Sequence, residues 1–407
     1  LQRGFFFDRE TFGTDRLVPG NPFGPAAAAF LSQAPMTDAA RQDAVRLATA
    51  SFDPWPELAS ADKRLRLARM SYADFLVREW RLDAGVLPLL ASRTHLLFGV
   101  GIDAVPAQDA FGLGYPGFQG MGLDSAPGPG QNYDSMADER SEAYYFHFPD
   151  GNASIARLLI RRLIPAAVPG RSAEDIVTGR VNHDLLDRAG HRVRVRLSSP
   201  VMSVRHLGAV DEATAVEVGY LEGARLRTVT AGQVVLACWH TAIPFLCQEL
   251  PASQKDALRY AIKVPLVYTN VFIRRWTAFT SLGVSGITAP TAWHPYTSLD
   301  FPVSVGSYHH TRSPEEPIVL HLAKAACHPG LPAREQHRRG RELLFTTPFE
   351  EIERTIRSDL GRMLGPGGFD PAADILGITV NRWPHGYAYQ YNSLADDFWV
   401  DGRETPC

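Results

Sequence analysis

The sequence predicts an α/β protein with an α+β insert, built in two lobes, on three observations. Its 407 residues exceed what one hydrophobic core usually serves. Segments with helical and with strand periodicity alternate along the whole chain, and no internal repeat is present. Apolar residues make up 45% and charged residues 21%, a globular composition that excludes a disordered, coiled-coil or collagen-like chain.

In chain order, residues 1–60 read as loop-rich, punctuated by Pro19-Gly20-Asn21-Pro22 and Asp53-Pro54-Trp55-Pro56. A helix is expected over 61–82, with Ser71 opening a capping-box variant and Phe75, Leu76 and Trp80 on one stripe. Residues 101–140 are rich in Gly and Pro and read as a long functional loop. Asp150-Gly151-Asn152-Ala153-Ser154 opens a helix whose stripe is Ile155, Leu158, Leu159 and Leu163. Arg192–Leu197 alternates with period two and reads as a half-wet strand. Short strands follow at 201–205, 216–220 and 225–229, and Gln233–Cys238 reads as a buried parallel strand. Ser253 to Asp256 starts another helix, and Lys263–Ile273 and Pro317–Ala323 are strands. The helix over 348–364 has Pro348 at its start, Glu350 and Glu351 in its first turn, and Phe349, Ile352, Ile356 and Leu360 as its stripe. A last strand, Ile378–Arg382, runs into Trp383-Pro384-His385-Gly386-Tyr387-Ala388-Tyr389.

Charge and motifs narrow the function. Lys plus Arg is 41 against 44 for Asp plus Glu, without the basic excess of a nucleic-acid binder. No apolar run is long enough to span a membrane. The four cysteines form no CxxC, the thirteen histidines form no metal-binding pair, and no metal site is expected. Cys238 reads as a buried small residue. The run Arg334–Arg341 reads as a solvated helix face. Neither GxSxG nor a GxGxxG after a strand occurs. Two segments stand out. The Asp150-Gly151-Asn152 turn precedes a helix start able to face an anion or an electron-rich ring edge. The aromatic run Trp383 to Tyr391 follows a strand and is suited to an amine.

Four stretches carry a resemblance: Phe148–Leu159, Val234–Trp239, Lys263–Val271 and Asn381–Tyr391. Together they resemble the flavin-containing amine oxidoreductases, most closely the bacterial spermidine dehydrogenases. The resemblance implies a two-lobed flavoprotein with a Rossmann-type FAD lobe and a substrate lobe of antiparallel sheet plus helices. It assigns residues 1–40, 141–245 and 381–407 to a partial FAD lobe, and 41–140 and 246–380 to the substrate lobe. It also implies that the phosphate-binding fingerprint lies before Leu1 and a last flavin strand after Cys407. The expectation is therefore a fragment of a longer chain that alone binds FAD weakly or not at all.

By the same resemblance, Lys263 holds a water near flavin N5, and Tyr387 and His385 are catalytic candidates. Asp150, Gly151, Asn152, Val201 and Trp383 contact the cofactor, and Trp383 and Tyr389 line the substrate cavity. The implied reaction moves a hydride from the carbon beside an amine nitrogen to the flavin, and the imine is then hydrolysed. Glu315, Glu316, Asp300 and Asp124 are candidates for the distal ammonium groups of a polyamine. The alternatives are a same-fold desaturase or amino-acid oxidase, marked by a cavity arginine, and a non-catalytic remnant. The electron acceptor is left open, as is a b-type haem. The compartment is left between bacterial cytoplasm and periplasm.

Overall fold

The computed structural model describes residues 1–126, 147–260, 262–396, 399–400 and 403–404. Two compact units emerge: residues 1–142, 263–300 and 311–407 in the first, 143–262 and 301–310 in the second. The first groups residues 2–7 and 375–383 in one sheet with strands from 266–325.

The strands of the two larger sheets are β1 (Gln2–Phe7), β2 (Arg16–Pro19), β3 (Val201–His206), β4 (Val216–Glu222), β5 (Arg225–Ala231), β6 (Leu266–Ile273), β7 (Val284–Thr288), β8 (Tyr296–Asp300), β9 (Ile318–Ala325) and β10 (Ile375–Trp383). In the first unit seven of them form a sheet in the order β10-β6-β9-β8-β7-β1-β2. All neighbours run antiparallel except β1 and β7, which are parallel. The mixed α/β class thus holds, with a sheet that is mostly antiparallel.

Three consecutive phenylalanines show how the sheet divides its surroundings. Side chains alternate across a strand, so Phe5 and Phe7 join one core with Tyr72, Phe75, Leu76 and Trp80. Phe6 joins the opposite core with Ile352, Ile356 and Leu360 of the Phe349–Leu364 helix. Each fully buried aromatic or aliphatic side chain contributes about 1.5–3 kcal/mol. The 349–364 helix matches its expected bounds, with Glu350 and Glu351 in the first turn, but Phe349 at its start remains 40% exposed.

The expected helix over 61–82 is broken into Ser60–Ala68, Tyr72–Asp74 and a wide turn at Phe75–Glu79. Ser71 caps the second piece by accepting from the Asp74 amide at 3.0 Å. The break lets the buried Tyr72 hydroxyl reach the Pro116 carbonyl at 2.8 Å. Residues 1–60 are less loop-like than their prolines suggest, holding β1, β2 and the Asp38–Thr49 helix. Of the Gly/Pro-rich 101–140 stretch, Ala107–Gly112 is helical and 127–140 lies outside the described residues.

In the second unit β3, β4 and β5 form an antiparallel sheet. Here two expectations fail. Arg192–Leu197 is not a strand: Arg194 and Arg196 both turn onto Asp187, at 2.6 and 2.7 Å, so the alternation serves one carboxylate rather than a ladder. Gln233–Cys238 is neither a strand nor buried: Val235 is 88% exposed and Cys238 is exposed, with no strand pairing them among the described residues. The Ala153–Leu163 helix forms as expected, but Ile155, Leu159 and Leu163 are exposed and the face toward Leu158 and Ile160 packs instead.

Candidate functional site

Two of the resembling stretches meet through β-pairing. Antiparallel pairing of β6 and β10 sets Tyr268 against Asn381 and Leu266 against Trp383. Beyond Trp383 the chain turns through Pro384 and His385 and pairs again, with Lys263 bridged to Ala388. The Val264 amide donates to the Tyr387 carbonyl at 2.8 Å and the Gly386 amide to the Val264 carbonyl at 2.9 Å. A Cβ at Gly386 would stand 3.1 Å from both Leu266 Cβ and the Val264 oxygen, so any side chain here would push the two segments apart by a few tenths of an ångström.

Side chains around this strand end fall into three groups. Trp383 lies edge-on to Tyr268 at 5.6 Å, and Tyr268 edge-on to His321 at 4.9 Å. Trp383 is 42% and Tyr268 37% exposed, so two aromatic faces remain open to a ligand. Tyr387 is half-buried and its hydroxyl donates to the Leu96 carbonyl. Burial first, then the neighbouring Tyr268 and Tyr296, raises its pKa and keeps the phenol protonated. Tyr389 donates to Asp396 at 2.7 Å and stacks on His337 at 5.3 Å.

Lys263 is partly buried, and its ammonium has no hydrogen bond or ion pair among the described residues. His385 is partly buried too; burial and the Arg341 charge lower its pKa to about 4, so the ring is neutral at pH 7. A neutral imidazole can accept a proton but cannot serve as a standing cation. Tyr268, His321 and Asn270 were not anticipated. Strand alternation places Tyr268 and Asn270 on the exposed face of β6, but His321 comes from β9 and only the pairing reveals it.

The remaining expected residues lie in the second unit. Gly151 has φ of +63° with open space around it, so its conformation rather than crowding demands glycine. Asp150 does not cap the helix backbone. It accepts from the Ser154 hydroxyl and from Arg157 at 3.0 Å, which ties the turn to the helix. Asn152 is the N-cap residue but makes no side-chain cap bond. Val201 opens β3, 39% exposed.

The proposed ammonium partners serve their own turns. Glu316 accepts from the Arg312 amide at 2.8 Å, Glu315 from the Ser313 hydroxyl, and Asp124 from the Ala126 amide at 2.8 Å. Asp300 ends β8. No cluster of three or more His, Cys, Asp or Glu side chains able to hold a metal occurs among the described residues. No described helix is long and apolar enough to cross a membrane.

A flavin is the group the resemblance implies. An ammonium without a partner among the described residues and two exposed aromatic faces suit the ring end of such a cofactor. A strand–Gly turn–helix unit for the pyrophosphate is not found among the described residues.

No protein-family model matches the chain, and no curated protein matches it. Solved structures do. Cyclohexylamine oxidase from Brevibacterium oxydans is similar over 97% of this chain and 70% of its own, at 13% identity and a TM-score of 0.45. Putrescine oxidase bound to putrescine is similar over 98% and 74%, at 13% identity and a TM-score of 0.48. An oxidoreductase from Methanosarcina mazei is similar over 97% and 72%, at 10% identity and a TM-score of 0.43.

Proposed function

We propose that the chain is part of an FAD-dependent amine oxidoreductase acting on a polyamine-type C–N bond. The observation that carries this reading is the pairing of Lys263–Leu266 with Trp383–Ala388. Two stretches that resemble amine oxidoreductases in sequence thereby become one strand end bearing Lys263, Trp383 and Tyr387. When bound, FAD accepts the hydride released from the carbon beside the nitrogen, and hydrolysis of the resulting imine gives an aldehyde and a shorter amine.

The chain's own residues do the rest. Trp383 and Tyr268 offer apolar faces that exclude water from the neutral, reactive amine and favour a cationic distal end. The Lys263 ammonium stabilises negative charge developing on the group beside it, or orders a water there. Tyr387, held at its carbonyl and its hydroxyl, fixes the wall behind Gly386.

The test is anaerobic mixing of the FAD-loaded full-length parent with spermidine, putrescine, cyclohexylamine and an L-amino acid. Bleaching of the visible flavin band by a polyamine at least about tenfold faster than by the others is expected. No bleaching by any amine overturns the reading, and bleaching by the amino acid alone replaces its substrate class.

A further inference from the structure

A cavity of about 240 Å³ opens on the first unit beside β1, β7 and β8. Two arginines line it, Arg3 of β1 and Arg93, and no carboxylate does. Neither guanidinium has a hydrogen bond or ion pair among the described residues. Elsewhere the chain's arginines find acids readily, as Arg362 does with Asp15 and Glu10 at 2.6 Å each. Two unpaired like charges on one cavity wall repel each other unless an anion joins them.

Arg93 is preorganised. Its guanidinium lies over the rings of Phe23 and Tyr115, 5.3 Å from each centroid. The Tyr296 hydroxyl donates to the Ser92 carbonyl at 2.8 Å, and the Tyr115 hydroxyl donates to the Arg93 carbonyl. The backbone is therefore pinned on both sides of the residue. Cation–π contact spends none of the guanidinium's N–H donors, which remain for the in-plane acceptors of an oxyanion. Asn21, also lining the cavity, spends its side-chain oxygen on the Phe23 amide at 3.0 Å, so its NH₂ remains as a further donor. Tyr296 lines the same cavity as both arginines.

We propose that Arg3 and Arg93 form an oxyanion subsite in this cavity, taking the carboxylate or phosphate group of a small ligand. The proposal stands apart from the flavin reading, since it needs only these residues.

The experiment titrates inorganic phosphate and, separately, acetate into the full chain at constant ionic strength held with chloride, followed by calorimetry. At least one of the two is expected to bind, and the tighter one identifies the head group. Arg93→Gln is expected to weaken binding by about tenfold or more, and Arg3→Gln by at least about threefold. Arg93→Lys, which keeps charge but not the planar fork, falls between wild type and Arg93→Gln. The exposed Arg3 keeps the test decidable if Arg93→Gln unfolds. Absence of binding by both anions, or affinity unchanged in Arg3→Gln and in whichever Arg93 variant folds, overturns the proposal.

Discussion

The Val264 amide donates to the Tyr387 carbonyl at 2.8 Å, so the strand that begins beside Lys263 is stitched to the aromatic segment that follows Trp383. The Tyr387 hydroxyl is spent on the Leu96 carbonyl. With its proton held there, this tyrosine is proposed here as a wall, and the chemistry proposed for this strand end falls to side chains without a protein partner among the described residues.

Lys263 is such a group. Because its ammonium has no protein partner among the described residues, Lys263→Met should leave the unfolding midpoint nearly unchanged. On the proposed function, it should slow flavin reduction or reoxidation in the FAD-loaded protein by about tenfold, equivalent to roughly 1.4 kcal/mol. Stopped-flow traces of both half-reactions check this; unchanged rates in both assign the lysine to the strand end alone.

Tyr387→Phe removes the bond to Leu96 but keeps the ring. The expected cost is about 1 kcal/mol, the net worth of one hydrogen bond with a part-buried carbonyl left unsatisfied. Urea unfolding measures it, and a stability equal to wild type means that water replaces the hydroxyl.

Stability should depend on pH in a signed way. His294 and His337 are buried, and desolvation holds His294 well below 6.5 and His337 at about 4. Their folded pKa values are depressed, so the unfolded chain takes up protons first as the pH falls. Their contribution is complete above the unfolded value of about 6.5 and is lost below it, by up to about 1.4 kcal/mol per pH unit for each. Asp359 acts in the opposite sense: burial raises its carboxyl to about 6, so its contribution is lost as pH rises from 3.8 to that value. Unfolding free energies from about pH 7.5 to about pH 5 should therefore fall. The fall should be steeper in Asp359→Asn and shallower in His337→Gln; identical slopes in all three contradict the assignment.

Gly340 tests the packing of the Ala333–Thr346 helix. Alanine in place of a helical glycine ordinarily gains about 1 kcal/mol. Here a Cβ would run into the Ala326 carbonyl oxygen, a backbone atom that cannot swing aside. Gly340→Ala is expected to lose about 1–3 kcal/mol instead. A gain in the thermal midpoint rejects that contact.

What could be read from the sequence follows from how local each signal is. The 349–364 helix was legible because proline, acidic first turn and apolar stripe all act within sixteen residues. β6 and β10 were legible because alternation and β-branched residues agree. Gln233–Cys238 was misread because an apolar run states a preference for burial but not whether a neighbour exists to bury it. Arg192–Leu197 was misread because two arginines sharing Asp187 imitate the period of a strand. In the candidate site, Lys263, Trp383 and Tyr387 were named in advance, while His321 was not, since its nearness to Tyr268 depends on strand order. The Arg3–Arg93 cavity was equally hidden, its two cations lying on separate elements of the chain.

The one parallel pair in the large sheet joins Gln2–Phe7 to Val284–Thr288. During synthesis, the first strand therefore waits until most of the chain has emerged before its second neighbour exists. Closing so long a loop precedes the reward of the contact, which makes assembly slow. Until then Phe5, Phe6 and Phe7, destined for two different cores, are on an open strand edge. Exposed aromatic side chains on an unpaired edge make the nascent chain prone to aggregation during that interval.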